Sequence, residues 1–104
     1  MKGPLPRPIQ PSAQPEMRLA IGCLRKKCRW SQTQLAAVLG KSLSTVQRYE
    51  AGCQVPDIGI LLVLREIAFK QEMLGSAEVF DTYMRVYLDQ RMVWVNNLTP
   101  GFHK

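Results

Sequence analysis

Ser31-Gln32-Thr33-Gln34-Leu35-Ala36-Ala37-Val38-Leu39-Gly40-Lys41-Ser42-Leu43-Ser44-Thr45-Val46-Gln47-Arg48-Tyr49-Glu50-Ala51-Gly52 is the stretch that decides the fold. It reads as two short helices, each with a start and a stop signal. Ser31 suits an N-cap, and the helix it opens runs over about 32–39 until Gly40 ends it. Ser42 is a second N-cap, opening a helix to about Ala51 that Gly52 stops. The small Ala36 permits a close crossing, and Gly40 tolerates the backbone angles of a tight turn. Leu35, Leu39, Val46 and Tyr49 fall on inward faces, while Ser44, Gln47, Arg48 and Ala51 share the outward face of the second helix. On spacing alone, any two-helix hairpin of a small bundle fits as well.

Upstream, Met17, Ala20, Ile21, Leu24 and Cys28 form the stripe of a helix from Glu16 to about Arg29. Pro15 and Glu16 suit its start, where a missing N–H is harmless and a negative charge meets the helix dipole. Downstream, Pro56 and Asp57 open a fourth helix whose apolar residues, from Ile58 to Phe69, cover nearly every side. Such a helix needs burial from two directions. Gly75 and Ser76 predict a break. Val79, Phe80, Tyr83, Met84 and Tyr87 then fit a helix over about 77–90, with a hairpin around Asp89–Gln90 as the alternative. The expectation is an all-α bundle of four to five helices, plus an extra C-terminal helix or hairpin. Residues 1–15 form a proline-rich arm, 16–70 the main domain, 76–96 a C-terminal element and 97–104 a tail. The five prolines of the arm deny it helix and ladder bonds. With Lys2 and Arg7 it is either a leader without a role or a minor-groove arm.

The chain has 104 residues, which is one small domain with tails, and a formal net charge of +6. That charge is uneven. Residues 16–56 hold seven bases (Arg18, Arg25, Lys26, Lys27, Arg29, Lys41, Arg48) against Glu16 and Glu50, whereas residues 57–104 hold five bases and six acids. A basic half joined to a near-neutral half points to one face for a polyanion. The three cysteines, Cys23, Cys28 and Cys53, form no Cys-x-x-Cys pair, which argues against a disulfide framework or a zinc site. His103, the lone histidine, lies beside the end of the chain, so histidine catalysis is unsupported. Carboxylates such as Glu78, Asp81 and Asp89 read as surface charge. No nucleophile–base pair, metal cluster or cofactor motif stands out. No stretch approaches the ~20 apolar residues of a membrane helix, and no apolar leader opens the chain. A cytoplasmic, nucleoid-associated protein that makes no membrane contact is expected.

The span of Gln32 through Ala51 has the footprint of a helix-turn-helix unit. Leu24-Arg25, Trp30 to Ala36, Gly40, Ser44 to Glu50, Gly52 and Pro56 together resemble the phage-repressor (Xre or Cro-like) helix-turn-helix family. The resemblance covers about 21–68. It implies sequence-specific binding of double-stranded operator DNA by a homodimer, to control transcription.

The resemblance also implies residue roles. Leu43, Ser44, Gln47 and Arg48 occupy base-reading positions, where Gln can read adenine and Arg guanine bidentately. Gln32 occupies the position that donates to a DNA phosphate. Lys41 and Thr45, with Lys27 and Arg29 at the end of the first helix, complete the expected phosphate set. Lys26, Lys27 and Arg29 equally suit a solvated helix C-terminus. Arg25 and Glu50 match the family's buried ion pair, and Trp30 a core position. The chain departs from the family at Lys41, where an apolar turn residue is common. Ala51 replaces a polar contact residue. Gln54 and Val55 stand where relatives are basic.

The aromatic and methionine content of 79–95 exceeds what one small bundle hides. Phe80, Tyr83, Met84, Tyr87 and Trp94 are therefore expected to build a dimer interface that sets two reading helices one DNA turn apart, ~34 Å. Two alternatives stand. One is an antitoxin that autoregulates through the same domain and binds a toxin through residues 76–104. The other is a protein-interaction module whose DNA face is not functional.

Overall fold

The computed structural model describes residues 15–98, with side chains from 16 to 93. Five helices follow one another: α1 (Pro15–Lys27), α2 (Gln32–Leu39), α3 (Leu43–Ala51), α4 (Ile58–Lys70) and α5 (Leu74–Leu98). Among the described residues there is no strand, so the fold is all-α.

The starts follow the expected chemistry. Ser31 caps α2 in a reciprocal capping box with Gln34, Ser42 caps α3, and the Asp57 carboxylate accepts from the Ile60 N–H to cap α4. The ends of α1 to α4 share one device. A residue in the left-handed conformation turns the chain, and the next N–H reaches back to the carbonyl five residues earlier: Trp30 to Arg25, Lys41 to Ala36, Cys53 to Arg48 and Met73 to Ala68. Gly40 (φ 68°) and Gly52 (φ 81°) fill the left-handed position after α2 and α3 at no steric cost. Arg29 (φ 61°) and Glu72 (φ 58°) fill it after α1 and α4 despite their side chains. These two ends therefore lack a glycine signal. The sequence therefore predicts α1 as far as Arg29, whereas the helix stops at Lys27, and predicts the last break at Gly75-Ser76, which lie inside α5, whereas the turn falls at Glu72.

One core runs through all five helices. Met17, Ala20, Ile21 and Leu24 of α1 meet Leu35, Ala36 and Leu39 of α2, Val46 and Tyr49 of α3, and Ile60, Leu61, Leu64 and Ala68 of α4. Trp30 packs against the cluster half-buried, as expected for a core position. The second cover that α4 needs is α5, which runs back along it and across α1. The C-terminal element is a single 25-residue helix, longer at both ends than the expected 77–90, and the hairpin alternative falls away. One expectation is corrected here. Phe80 (0% exposed), Tyr83 (5%) and Met84 (8%) are buried inside the chain with Ala77, so they complete the domain's own core and leave nothing for a partner. Tyr87 is half-buried against the same core. The Trp94 side chain lies outside the described residues, as do the arm of 1–14 and the tail from 99 onward.

Polar ties fix α5 in place. The Tyr83 hydroxyl donates to Glu16 Oε2 at 3.0 Å, joining α5 to the first turn of α1. Asp81 accepts from Arg85 Nε at 2.7 Å and from Arg65 Nη1 at 2.8 Å, joining α5 to α4. These two guanidinium groups, Arg85 first, hold the Asp81 carboxyl below its usual range.

Candidate nucleic-acid interface

The orientation of α3 follows from which side chains it buries. Val46 (0% exposed) and Tyr49 (2%) point into the core. The helical period then turns 43, 44, 47 and 48 to the other side. Leu43, Ser44, Gln47 and Arg48 are all exposed, and they form one contiguous outward face together with exposed Ala51. The structure thus brings the four predicted base-reading residues together.

Side chains from outside the helix shape this face. Ser42 Oγ accepts from the Thr45 N–H at 3.2 Å and lies 3.1 Å from Ser44 Oγ and 2.9 Å from Thr45 Oγ1. The hydroxyls of 42, 44 and 45 thus form one cluster at the N-terminus of α3. At the other end, Arg48 Nε donates to Gln54 Oε1 at 3.2 Å. Sequence reasoning missed both arrangements. Ser42 carried a signal only as a cap, and Gln54 registered only as a departure from basic relatives.

Beneath the face, Arg25 and Glu50 pair as expected. Arg25 Nε donates to Glu50 Oε2 at 2.6 Å and Nη2 to Oε1 at 3.1 Å, a side-on bidentate pair. Arg25 Nη1 also donates to the Trp30 carbonyl at 2.9 Å, and Gln32 Nε2 donates to Glu50 Oε1 at 3.2 Å. The network joins the end of α1, the start of α2 and the last turn of α3, which fixes the angle between the two helices of the hairpin. The side chains are 17% and 12% exposed. The pair is therefore partly wetted, and the full penalty of a wholly buried pair does not apply to it. The Glu50 hydrogen bond still raises the Arg25 pKa above its already high ordinary value.

The expected phosphate set divides in two. Lys27, Arg29 and Lys41 are exposed, Lys27 and Arg29 at the end of α1 and Lys41 in the turn before α3. Gln32 and Thr45 are half-buried and already bonded within the protein, to Glu50 and to Ser42. Gln32 keeps its second amide hydrogen for an outside acceptor. Ala51 offers no polar atom. The electrostatic balance is one-sided: across residues 17–56 the sole acid is Glu50, and Arg25 and Gln32 occupy it. No free carboxylate from this half opposes a polyanion.

A family model described as helix-turn-helix matches residues 24–67, from the last turn of α1 into α4. Over these residues the chain is similar to the helix-turn-helix family, which supports the Xre/Cro-like resemblance read from the sequence. Neither a curated protein nor a solved structure matches the chain. The family binds DNA and regulates transcription, and catalysis is not typical of it. The match ends before α5, so the helix-turn-helix domain here is completed by a helix that lies outside the matched segment. Among the described residues no helix is long and apolar enough to cross a membrane. Cys28 is half-buried and burial pushes its thiol pKa up, which suits a packing role.

Proposed function

We propose that this protein is a sequence-specific, double-stranded-DNA-binding repressor of bacterial or phage genes, acting in the cytoplasm as a homodimer. The observation that carries the reading is the common exposure of Leu43, Ser44, Gln47 and Arg48 on a helix whose other side is locked into the core. Gln47 pairs with adenine and Arg48 with guanine in the major groove, and Leu43 meets a thymine methyl. Lys27, Arg29, Lys41 and the open amide hydrogen of Gln32 neutralise or hold phosphates, which sets register without reading sequence.

The second copy docks on the outer part of α5. After Tyr87 every described side chain of that helix is exposed, including Leu88, Met92 and Val93. A cleft lined by Val55, Asp57, Ile58, Gly59, Tyr87, Gln90 and Arg91 opens at the same stretch of α5. The apolar stripe and the cleft sit at the same end of one chain, so a two-fold axis lets each copy cover the other's. Asp89 and Arg91 leave residues 88–93 without net charge.

Selection of bound duplexes from a random pool tests the reading. It should return a site with two related halves, bound with a log–log salt slope of about −0.9 per phosphate contacted. Gln47→Ala with Arg48→Ala should abolish discrimination between that site and random duplex while leaving the fold intact. An unenriched pool, or discrimination that survives the double substitution, would remove the proposal. A protein-interaction module predicts the former.

A further inference from the structure

We infer that Gln54 is a positioning residue for base recognition: it fixes the Arg48 guanidinium so that its end-on edge, Nη1 and Nη2, is presented to a guanine. This rests on the DNA-reading role proposed above for α3. The starting observation is the 3.2 Å bond from Arg48 Nε to Gln54 Oε1. Both residues are exposed, so neither is held there by burial, and the bond serves no core. The loop geometry creates it. Gly52 turns left-handed at φ 81°, and the Cys53 N–H bonds back to the Arg48 carbonyl at 2.9 Å. The chain leaving α3 is thereby folded over the helix's last turn, on the side where Arg48 emerges.

The chemistry then fixes two orientations. A guanidinium has only donors, so the amide of Gln54 must face Arg48 through its oxygen. Its NH2 group therefore points away from Arg48, toward the open side of the loop. Arg48, for its part, has two edges able to grip a guanine: the side edge made of Nε and one Nη, and the end edge made of both Nη atoms. Gln54 occupies the side edge. Only the end edge remains for the O6 and N7 acceptors of a guanine.

A free arginine carries considerable rotamer entropy, which a protein–DNA contact must overcome. A guanidinium already tethered at Nε loses less of that freedom on binding. A basic residue at this place would repel Arg48, whereas a neutral acceptor holds it.

The experiment uses the full chain and its selected site, in parallel with the same site carrying each other base pair at the guanine that Arg48 reads. Wild type, Gln54→Ala, Gln54→Glu, Arg48→Ala and the Gln54→Ala/Arg48→Ala pair are compared by binding titration at several salt concentrations. Gln54→Ala should lower discrimination at that base pair by about fivefold, a part of what one bidentate contact supplies. Discrimination elsewhere and the salt slope should not change. Gln54→Glu should keep the discrimination, since it keeps the acceptor, while weakening binding to every sequence through its added negative charge. In the Arg48→Ala background Gln54→Ala should have no further effect. A uniform loss across all sequences with a shallower salt slope would overturn the inference and make Gln54 a phosphate anchor. No change in any variant would overturn it as well. Loss of discrimination in no variant because wild type itself shows none would sink the DNA-reading proposal, and this inference with it.

Discussion

α3 and α5 expose opposite kinds of surface, and the contrast separates two roles. α3 spends two side chains, Val46 and Tyr49, on the core and presents a polar, cationic face held by Ser42 and Gln54 from outside the helix and by the Arg25–Glu50 pair beneath it. α5 buries Ala77, Phe80, Tyr83 and Met84 and then exposes Leu88, Met92 and Val93. Polar atoms held in place but left unsatisfied toward solvent suit a polar ligand. Apolar side chains left in water suit another protein surface. The same 104-residue chain thus pairs a cationic half, whose only acid beyond Glu16 is engaged, with a half of nearly balanced charge.

The sharpest way to break this contrast is within α5 itself. Phe80→Ala should cost about 3–5 kcal/mol, because it empties a fully buried site in a small core. Chemical denaturation would show it as a large fall in midpoint. Leu88→Asp with Met92→Asp should leave the monomer's stability within about 0.5 kcal/mol, as expected for surface positions. The same pair should convert a dimer to a monomer in sedimentation equilibrium. Equal stability losses at the two ends would erase the distinction between core and docking face.

The next effect tests the frame beneath α3. Glu50→Ala leaves Arg25 and Gln32 without their shared acceptor and should cost about 2 kcal/mol, the range of hydrogen bonds to a charged group. The ~3–5 kcal/mol that a wholly buried pair would give is too large for side chains that water still reaches. Thermal unfolding of Glu50→Ala beside Arg25→Ala and the double variant would measure the coupling.

A smaller effect concerns the tie between α5 and α1. Burial, reinforced by the Glu16 carboxylate, raises the Tyr83 phenol well above its ordinary pKa of about 10. The unfolded chain therefore releases that proton first. The stability Tyr83 contributes is complete below about pH 10 and is lost as pH rises above it. Tyr49 and Tyr87 shift in the same direction through burial, so Tyr83→Phe should flatten the alkaline loss only in part. Melting temperatures of both proteins between pH 8 and about 11 would check the sign.

The α2–α3 hairpin was legible in sequence because it is written in local signals. Ser31 and Ser42 cap, Gly40 and Gly52 stop, and the outward face follows from Val46 and Tyr49 facing in. The turn at Glu72 was illegible because a residue without glycine's freedom fills a left-handed position there. The aromatic richness of 79–87 was visible, but its destination was not. A stripe of large apolar residues looks the same whether it faces the chain's own α4 or a second copy, and only the path of α5 decides. Gln54 was invisible as a positioning residue for a related reason. Its role exists only once the left-handed turn at Gly52 brings it over Arg48.

The most direct test is a titration of isotope-labelled protein with its selected duplex, followed through backbone and side-chain amide resonances. The largest shifts should fall on residues 42–54, with the Gln47 and Gln54 side-chain amides and the Arg48 Nε–H among them, and the core side of α5 should stay still. Shifts confined to α5, with residues 43, 44, 47 and 48 unmoved at saturation, would contradict the assignment of α3 as the helix that reads DNA.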